Sequence, residues 1–176
     1  IVAGIYNTYV IKSGGVLEAI GRNGSGQLGV GDTLDKTSLT PTGMTDVVNV
    51  ITGSSVSSVA NAFARAMLSD GSVFSTGENT HGELGLGDTT DRSTFTDTLK
   101  FAQGMEGPFI VDPTNNILGT GYNMYGELGL GDNLERTSFT DTTKDTVFTY
   151  QIATFTDGQV VQHNDLRQIV TCYGDS

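Results

Sequence analysis

The chain has 176 residues, enough for one domain with a real core, and only 16% of them are charged against 36% hydrophobic. Its polar surface therefore falls to Thr, Ser, Asn and Gly, as in turn-rich β structure, and 24 glycines without a Gly-X-Y period exclude collagen. A net charge of −11, a pI near 4.3 and nine scattered basic residues argue against nucleic acid and anionic membranes as partners, and no apolar run nears the ~20 residues that cross a bilayer.

The sequence starts at Ile1 rather than Met, which suggests processing or a place in something longer. The first recognisable element is "VIKSGGVLEAI" (10–20), a short apolar strand, a turn and a second strand. It leads into the glycine-dense phrase "GRNGSGQLGVGD" (21–32) and then "DKTSLTPT" (35–42).

The same order recurs. "AMLSDGSVFST" (66–76) precedes "GENTHGELGLGD" (77–88) and "DRSTFTDT" (91–98). "FIVDPTNNILGT" (109–120) precedes "GYNMYGELGLGD" (121–132) and "ERTSFTDT" (135–142). The phrases open at Gly21, Gly77 and Gly121, steps of 56 and 44 residues. The longer step is assigned to surface loops around "TPTGMTD" (40–46) and the Ser-rich "SSVSSVA" (54–60). A decayed copy, "VFTYQIATFTDGQVVQHN" (147–164), turns at Gly158 and reaches Asn164 without the phrase.

Gly15, Gly71 and Asn115 each stand six residues before their phrase, and Gly and Asn accept the positive φ that a tight turn demands. Short strands repeating at this period are expected to form the blades of an all-β propeller, three full units and a partial fourth. The unit boundaries are placed at about 1–45, 46–97, 98–142 and 143–176, within a single repeat domain.

Inside the phrase the structural positions are Gly21, Asn23, Leu28 and Asp32, then Gly77, Asn79, Leu84 and Asp88, then Gly121, Asn123, Leu128 and Asp132. Asn79 is expected to form an Asx turn and Gly82 the next bend. If "ELGLGD" is extended, Leu84 and Leu86 fill the core while Gly85 and Gly87 leave room for a neighbouring backbone. Leu28 with Val30, and Leu128 with Leu130, repeat that arrangement. Gln27, Glu83 and Glu127 precede Lys36, Arg92 and Arg136 by nine residues, which suggests Glu83–Arg92 and Glu127–Arg136 contacts.

The pattern G-x-N-x-x-G-[QE]-L-G-x-G-D resembles the regulator of chromosome condensation repeat, in a style similar to bacterial and phage members, from Ile1 to about Asn164. The resemblance implies blades of a seven-bladed propeller. The chain departs from the family in having no Trp, with Phe74 and Leu118 taking the inner strand, and in keeping the proline after the phrase only as Pro41. Three and a half units do not close seven blades. The expectation is an incomplete propeller, or one completed between chains, with contacts to other copies or a larger assembly because open sheet edges are otherwise exposed.

The repeated residues explain packing, so function is sought where copies differ. These rim-loop candidates are Arg22 and Ser25, Glu78 and His81, and Tyr122, Met124 and Tyr125, with Gly24 and Thr80 at the remaining variable positions. The reading is a non-catalytic binding or structural module in an extracellular or virion-surface assembly, with protein partners and a surface glycan or receptor as further targets. Alternatives are a secreted enzyme inhibitor similar to the propeller inhibitor of β-lactamases, and a guanine-nucleotide exchange or GTPase-binding propeller, both on resemblance.

An enzyme of glycosidase type ranks last. Glu83 and Glu127 occupy equivalent positions, whereas acid–base chemistry needs two unlike environments. His81 and His163 lie in no metal or triad pattern. Asp32/Asp35, Asp88/Asp91 and Asp132/Glu135 invite calcium but offer too few identified oxygens, so no cofactor and no metal are assigned. Cys172 is alone and is read as a buried or incidental thiol.

Overall fold

The computed structural model describes residues 1–55, 58–99, 102 and 104–142, all within one compact unit, Ile1–Asp145. The decayed copy with Gly158 and Asn164, and with it His163 and Cys172, lies outside the described residues.

Three four-stranded antiparallel sheets follow one another along the chain. The first contains β1 (Val2–Ala3), β2 (Asn7–Ile11), β3 (Leu17–Gly21) and β4 (Lys36–Pro41). The second contains β5 (Val47–Ser55), β6 (Ser58–Leu68), β7 (Val73–Gly77) and β8 (Arg92–Leu99). The third contains β9 (Gly104–Glu106), β10 (Phe109–Val111), β11 (Ile117–Gly121) and β12 (Arg136–Asp141). In each, spatial order equals chain order, the meander of a propeller blade. Among the described residues the one helical element is a 3-10 turn at Ser13–Gly15.

The hairpins that join second to third strands turn on the residues the repeat singles out: Gly15 at φ 72°, Gly71 at φ 82° and Asn115 at φ 64°. Where Asn replaces Gly, Asp112 supports the turn by accepting the amides of Thr114 at 2.8 Å and Asn116 at 2.9 Å. The Ser-rich piece is not a surface loop. Ser54 and Ser55 end β5 and Ser58 begins β6, so the extra length is spent on a longer strand pair whose ladder satisfies the added backbone. Phe74 and Leu118 lie in the third strands of their sheets.

The core lies between successive sheets. Tyr9, Leu17, Ala19 and Leu28 meet Val47, Val50, Ala64 and Ala66 at the first junction. Val73 meets Ala102, Met105 and Ile110 at the second.

Each junction is locked by the glycine-dense phrase of one sheet lying on the last strand of the next. At the first, Val30 bridges Thr94, and the Gly31 amide donates to the Ser93 carbonyl at 2.8 Å. The Thr76 hydroxyl reaches the Gly26 carbonyl at 2.9 Å. At the second, Leu86 bridges Ser138, Gly87 donates to Thr137 at 2.7 Å, and Thr120 reaches the Gly82 carbonyl at 2.8 Å.

The phrase is not extended as its spacing suggests. Gly82, Gly85 and Gly87 have φ of 81°, 73° and 85°, so the segment coils, and Leu86 alone of it forms a β-bridge to the neighbour. Its glycines have two uses. A methyl group at Gly26 or Gly82 would lie 2.6 or 2.5 Å from the next sheet's backbone. One at Gly29 or Gly85 would lie 2.5 or 2.6 Å from the ring of Phe95 or Phe139.

Gly82→Ala combines left-handed strain with a backbone collision and is expected to cost about 3 kcal/mol in urea unfolding. Gly24→Ala, outside the left-handed region and in open space, is expected to be near neutral in the same assay.

Candidate functional site

Each loop is organised around a fully buried asparagine, Asn23, Asn79 or Asn123. The Asn79 Oδ1 accepts the Leu84 amide at 2.8 Å, and its Nδ2 donates to the carbonyl and Oδ1 of Asp88 at 2.9 and 3.0 Å. Its own amide donates to Asp91 at 2.8 Å. This is a hub across the whole loop rather than a local Asx turn. Asn23 repeats it toward Leu28 at 2.9 Å and Asp32 at 2.8 Å, and Asn123 toward Leu128 at 2.8 Å and Asp132 at 3.0 Å.

The expected Glu83–Arg92 and Glu127–Arg136 contacts are not what forms. Arg92 pairs with Asp88 at 2.6 Å, Arg136 with Asp132 at 2.7 Å and Lys36 with Asp32 at 2.7 Å. The glutamates instead turn back on their own loop, Glu83 accepting the His81 amide at 2.8 Å and Glu127 that of Tyr125 at 2.9 Å. Gln27 accepts the Ser25 amide at 2.8 Å in the same way, which is why Gln and Glu interchange at this position.

The basic partner four residues on, then the loop amide, hold Asp32, Asp88 and Asp132 below the usual carboxylate range. These aspartates spend their oxygens on N–H donors, and Asp35 and Asp91 do likewise on the amides of Asn23 and Asn79. Among the described residues, no group of three or more His, Cys, Asp or Glu is placed to hold a metal ion.

Two residues that the sequence reading passed over are central. Arg65 is completely buried, its Nη1 donating to the Gly107 carbonyl and its Nη2 to the Glu83 carbonyl. Its guanidinium lies 4.9 Å from the Phe63 ring centroid and 5.0 Å from that of Phe139, so it ties the second sheet to the third. Burial pulls its pKa down to about 9, opposed by Glu83, and it remains a cation at neutral pH. Tyr9 holds the equivalent place in the first sheet and donates to the Gln27 carbonyl, its phenol pushed up by burial. Aligning the units puts Tyr9, Arg65 and Phe109 in one column, and a cation in an aromatic column is the signal that was there to find.

The variable positions separate on folding. Glu78 is buried at 3% exposure and accepts the Thr80 hydroxyl at 3.2 Å, so it is a loop brace and not a surface contact. Arg22 is exposed and lies over Tyr6 at 6.0 Å, and Ser25 is half-buried. His81, Tyr122 and Tyr125 come together across the second and third sheets.

Within that cluster, His81 Nδ1 is 2.7 Å from Glu135 Oε1, and its ring stands edge-on to Tyr122 at 5.1 Å. Tyr122 meets Tyr125 at 6.2 Å. Partial desolvation, then the neighbouring Tyr125, Glu127 and Glu135, hold the Tyr122 phenol above its usual range. Met124 and Tyr125 are 57% and 85% exposed. Beside them a cavity of about 410 Å³ is lined by Glu83, Glu127, Tyr122, Phe63, Gly107 and Pro108.

Meandering four-stranded sheets locked phrase-to-strand have the fold of propeller blades, and solved structures share that fold. Human WBSCR16 superposes with a TM-score of 0.61 at 19% identity, over 79% of this chain and 36% of that one. Prp20p from Saccharomyces cerevisiae, described with its binding properties to Gsp1p and histones, superposes with a TM-score of 0.64 at 15% identity, over 82% of this chain and 38% of that one. The same yeast RCC1 protein in its complex with Kap60 gives 0.64 at 15% identity, over 82% and 37%. The chain thus spans a little over a third of the length of these structures. No family model and no curated protein matches the sequence.

Asn79→Asp removes two donors and sets a carboxylate against Asp88. It is expected to cost about 3 kcal/mol, read as a fall in melting temperature of roughly 6–12 °C. The aspartate–cation pairs set a second expectation. With native pKa values below the ordinary 3.8, protons bind the unfolded chain first, so stability is complete above that pH and falls as acid titrates the folded carboxylates. Melting between pH 6 and pH 2.5 should show this loss, and the triple variant Asp32→Asn, Asp88→Asn, Asp132→Asn should flatten the curve.

Proposed function

We propose that the chain is a non-catalytic protein-binding module whose contact surface is the rim around Tyr125, Met124, Tyr122 and His81, within an extracellular or virion-surface assembly that also brings copies of the chain or other chains together. The observation that carries it is a large exposed Tyr and Met held on a loop braced by the buried Asn123. Aromatic and Met side chains are frequent binding anchors, and a loop fixed beforehand loses little entropy on association.

The net charge of −11, with Glu127 and Glu135 beside the tyrosines, favours a partner with a basic face. The glutamates that could serve an acid–base pair are occupied by loop amides, which supports a binding role over catalysis. The neighbours' protein partners, Gsp1p and histones for Prp20p and Kap60 for the yeast protein, support protein recognition as the class of activity. The extracellular or particle setting rests on the acidic, Thr- and Gly-rich surface and the near-identical units.

Affinity capture from extracts and particle fractions of the source tests the reading. A protein retained by the wild type and lost by Tyr125→Ser with Met124→Ser, at unchanged melting temperature, is the expected result. Equal capture by both would refute the rim as the binding surface.

A further inference from the structure

The three buried asparagines hold equivalent loops with equivalent bonds, yet they differ in the residue that follows. Asn79 precedes Thr80 and Asn123 precedes Met124, whereas Asn23 precedes Gly24, the one Asn-Gly step in the sequence. That step has a chemistry of its own. Glycine has no side chain to restrict its backbone or shield its amide, so the amide nitrogen can swing onto the side-chain carbonyl carbon of the preceding asparagine. A side chain on the following residue, as at Thr80 or Met124, obstructs the same approach.

In the folded chain the approach is closed. Asn23 is fully buried, and its Nδ2 donates to the Asp32 carbonyl at 2.8 Å, to Asp32 Oδ1 at 3.1 Å and to the Leu34 carbonyl at 3.2 Å. Its Oδ1 accepts the Leu28 amide at 2.9 Å. Turning this side chain toward the Gly24 nitrogen breaks all of these bonds, which takes a local opening of the loop. The Asp35 carboxylate, 2.8 Å from the Asn23 amide nitrogen, also opposes the negative charge that an attacking nitrogen carries. Gly24 itself is exposed, and a methyl group there would meet nothing within 4 Å. The step is therefore protected by the bonds of Asn23 and not by any cover over Gly24.

We propose that Asn23 is a deamidation site that the fold holds closed and that reacts only while the first phrase is unfolded. The Gly24 nitrogen, its proton lost to hydroxide, bonds to Asn23 Cγ. The Cγ–Nδ2 bond breaks, and Nδ2 leaves as ammonia with a proton taken from water. Water then opens the cyclic imide at one carbonyl or the other, giving aspartate or isoaspartate. Neither product rebuilds the hub. Aspartate presents acceptors where Asp32 and the Leu34 carbonyl need a donor, and isoaspartate carries the main chain through an extra carbon. The contacts of Val30 with Thr94 and of Gly31 with Ser93 belong to the same phrase, so conversion removes the first junction along with the loop. An unfolding that lasts long enough is recorded at this residue and is not reversed.

Peptide mass mapping of the full chain, folded and in urea, follows the loss of ammonia in mildly alkaline buffer. In urea, Asn23 should convert at least about ten-fold faster than Asn79 or Asn123. Without urea its conversion should be slower by about a hundred-fold or more, since it then waits on opening of the loop. Gly24→Ala should keep wild-type melting and slow conversion in urea to the rate of the other two asparagines. After urea is removed, chains converted at Asn23 should not recover wild-type melting, whereas Gly24→Ala chains held in urea equally long should recover theirs. Conversion of Asn23 in the folded chain at its urea rate overturns the proposal. So does conversion of Asn79 or Asn123 in urea as fast as that of Asn23, and so does refolding of converted chains with unchanged melting.

Discussion

The structure depends on one constraint: a coiled, glycine-dense segment must lie flat on the outermost strand of the following sheet. None of these small sheets has enough apolar area to stand alone, and each gains its core only by being pressed to its neighbour. Side chains at Gly26, Gly29, Gly82 or Gly85 would hold the sheets apart. The conformational cost of ordering so many glycines is met by what their absence of side chains permits, namely main-chain bonds and aromatic rings at contact distance across the junction.

Such a segment has no ladder of its own, so its polar groups must find other partners. The buried asparagines supply them. One side chain accepts an amide at the start of the coil and donates to the aspartate at its end, and that aspartate is held by the Lys or Arg four residues on. The loop is braced from within while its outward positions remain free to vary. This division of labour places Tyr125 and Met124 in solvent without loosening the backbone beneath them.

Much of this was legible in the sequence because the repeat compares each residue with its counterparts. The exchange of Gly15 and Gly71 for Asn115 marks a required backbone angle, which all three adopt with positive φ. The sheet organisation followed from strand–turn–strand spacing. What was not legible depended on partners distant in sequence. Arg92 sits nine residues from Glu83 and four from Asp88, and which carboxylate it meets depends on how the loop coils. Glu78 reads as a rim-loop contact until the fold buries it, and Arg65 carries no signal of burial until Phe139 and Gly107 arrive from the third sheet. Alternation along a strand shows which side a residue faces, not whether another sheet will cover that side.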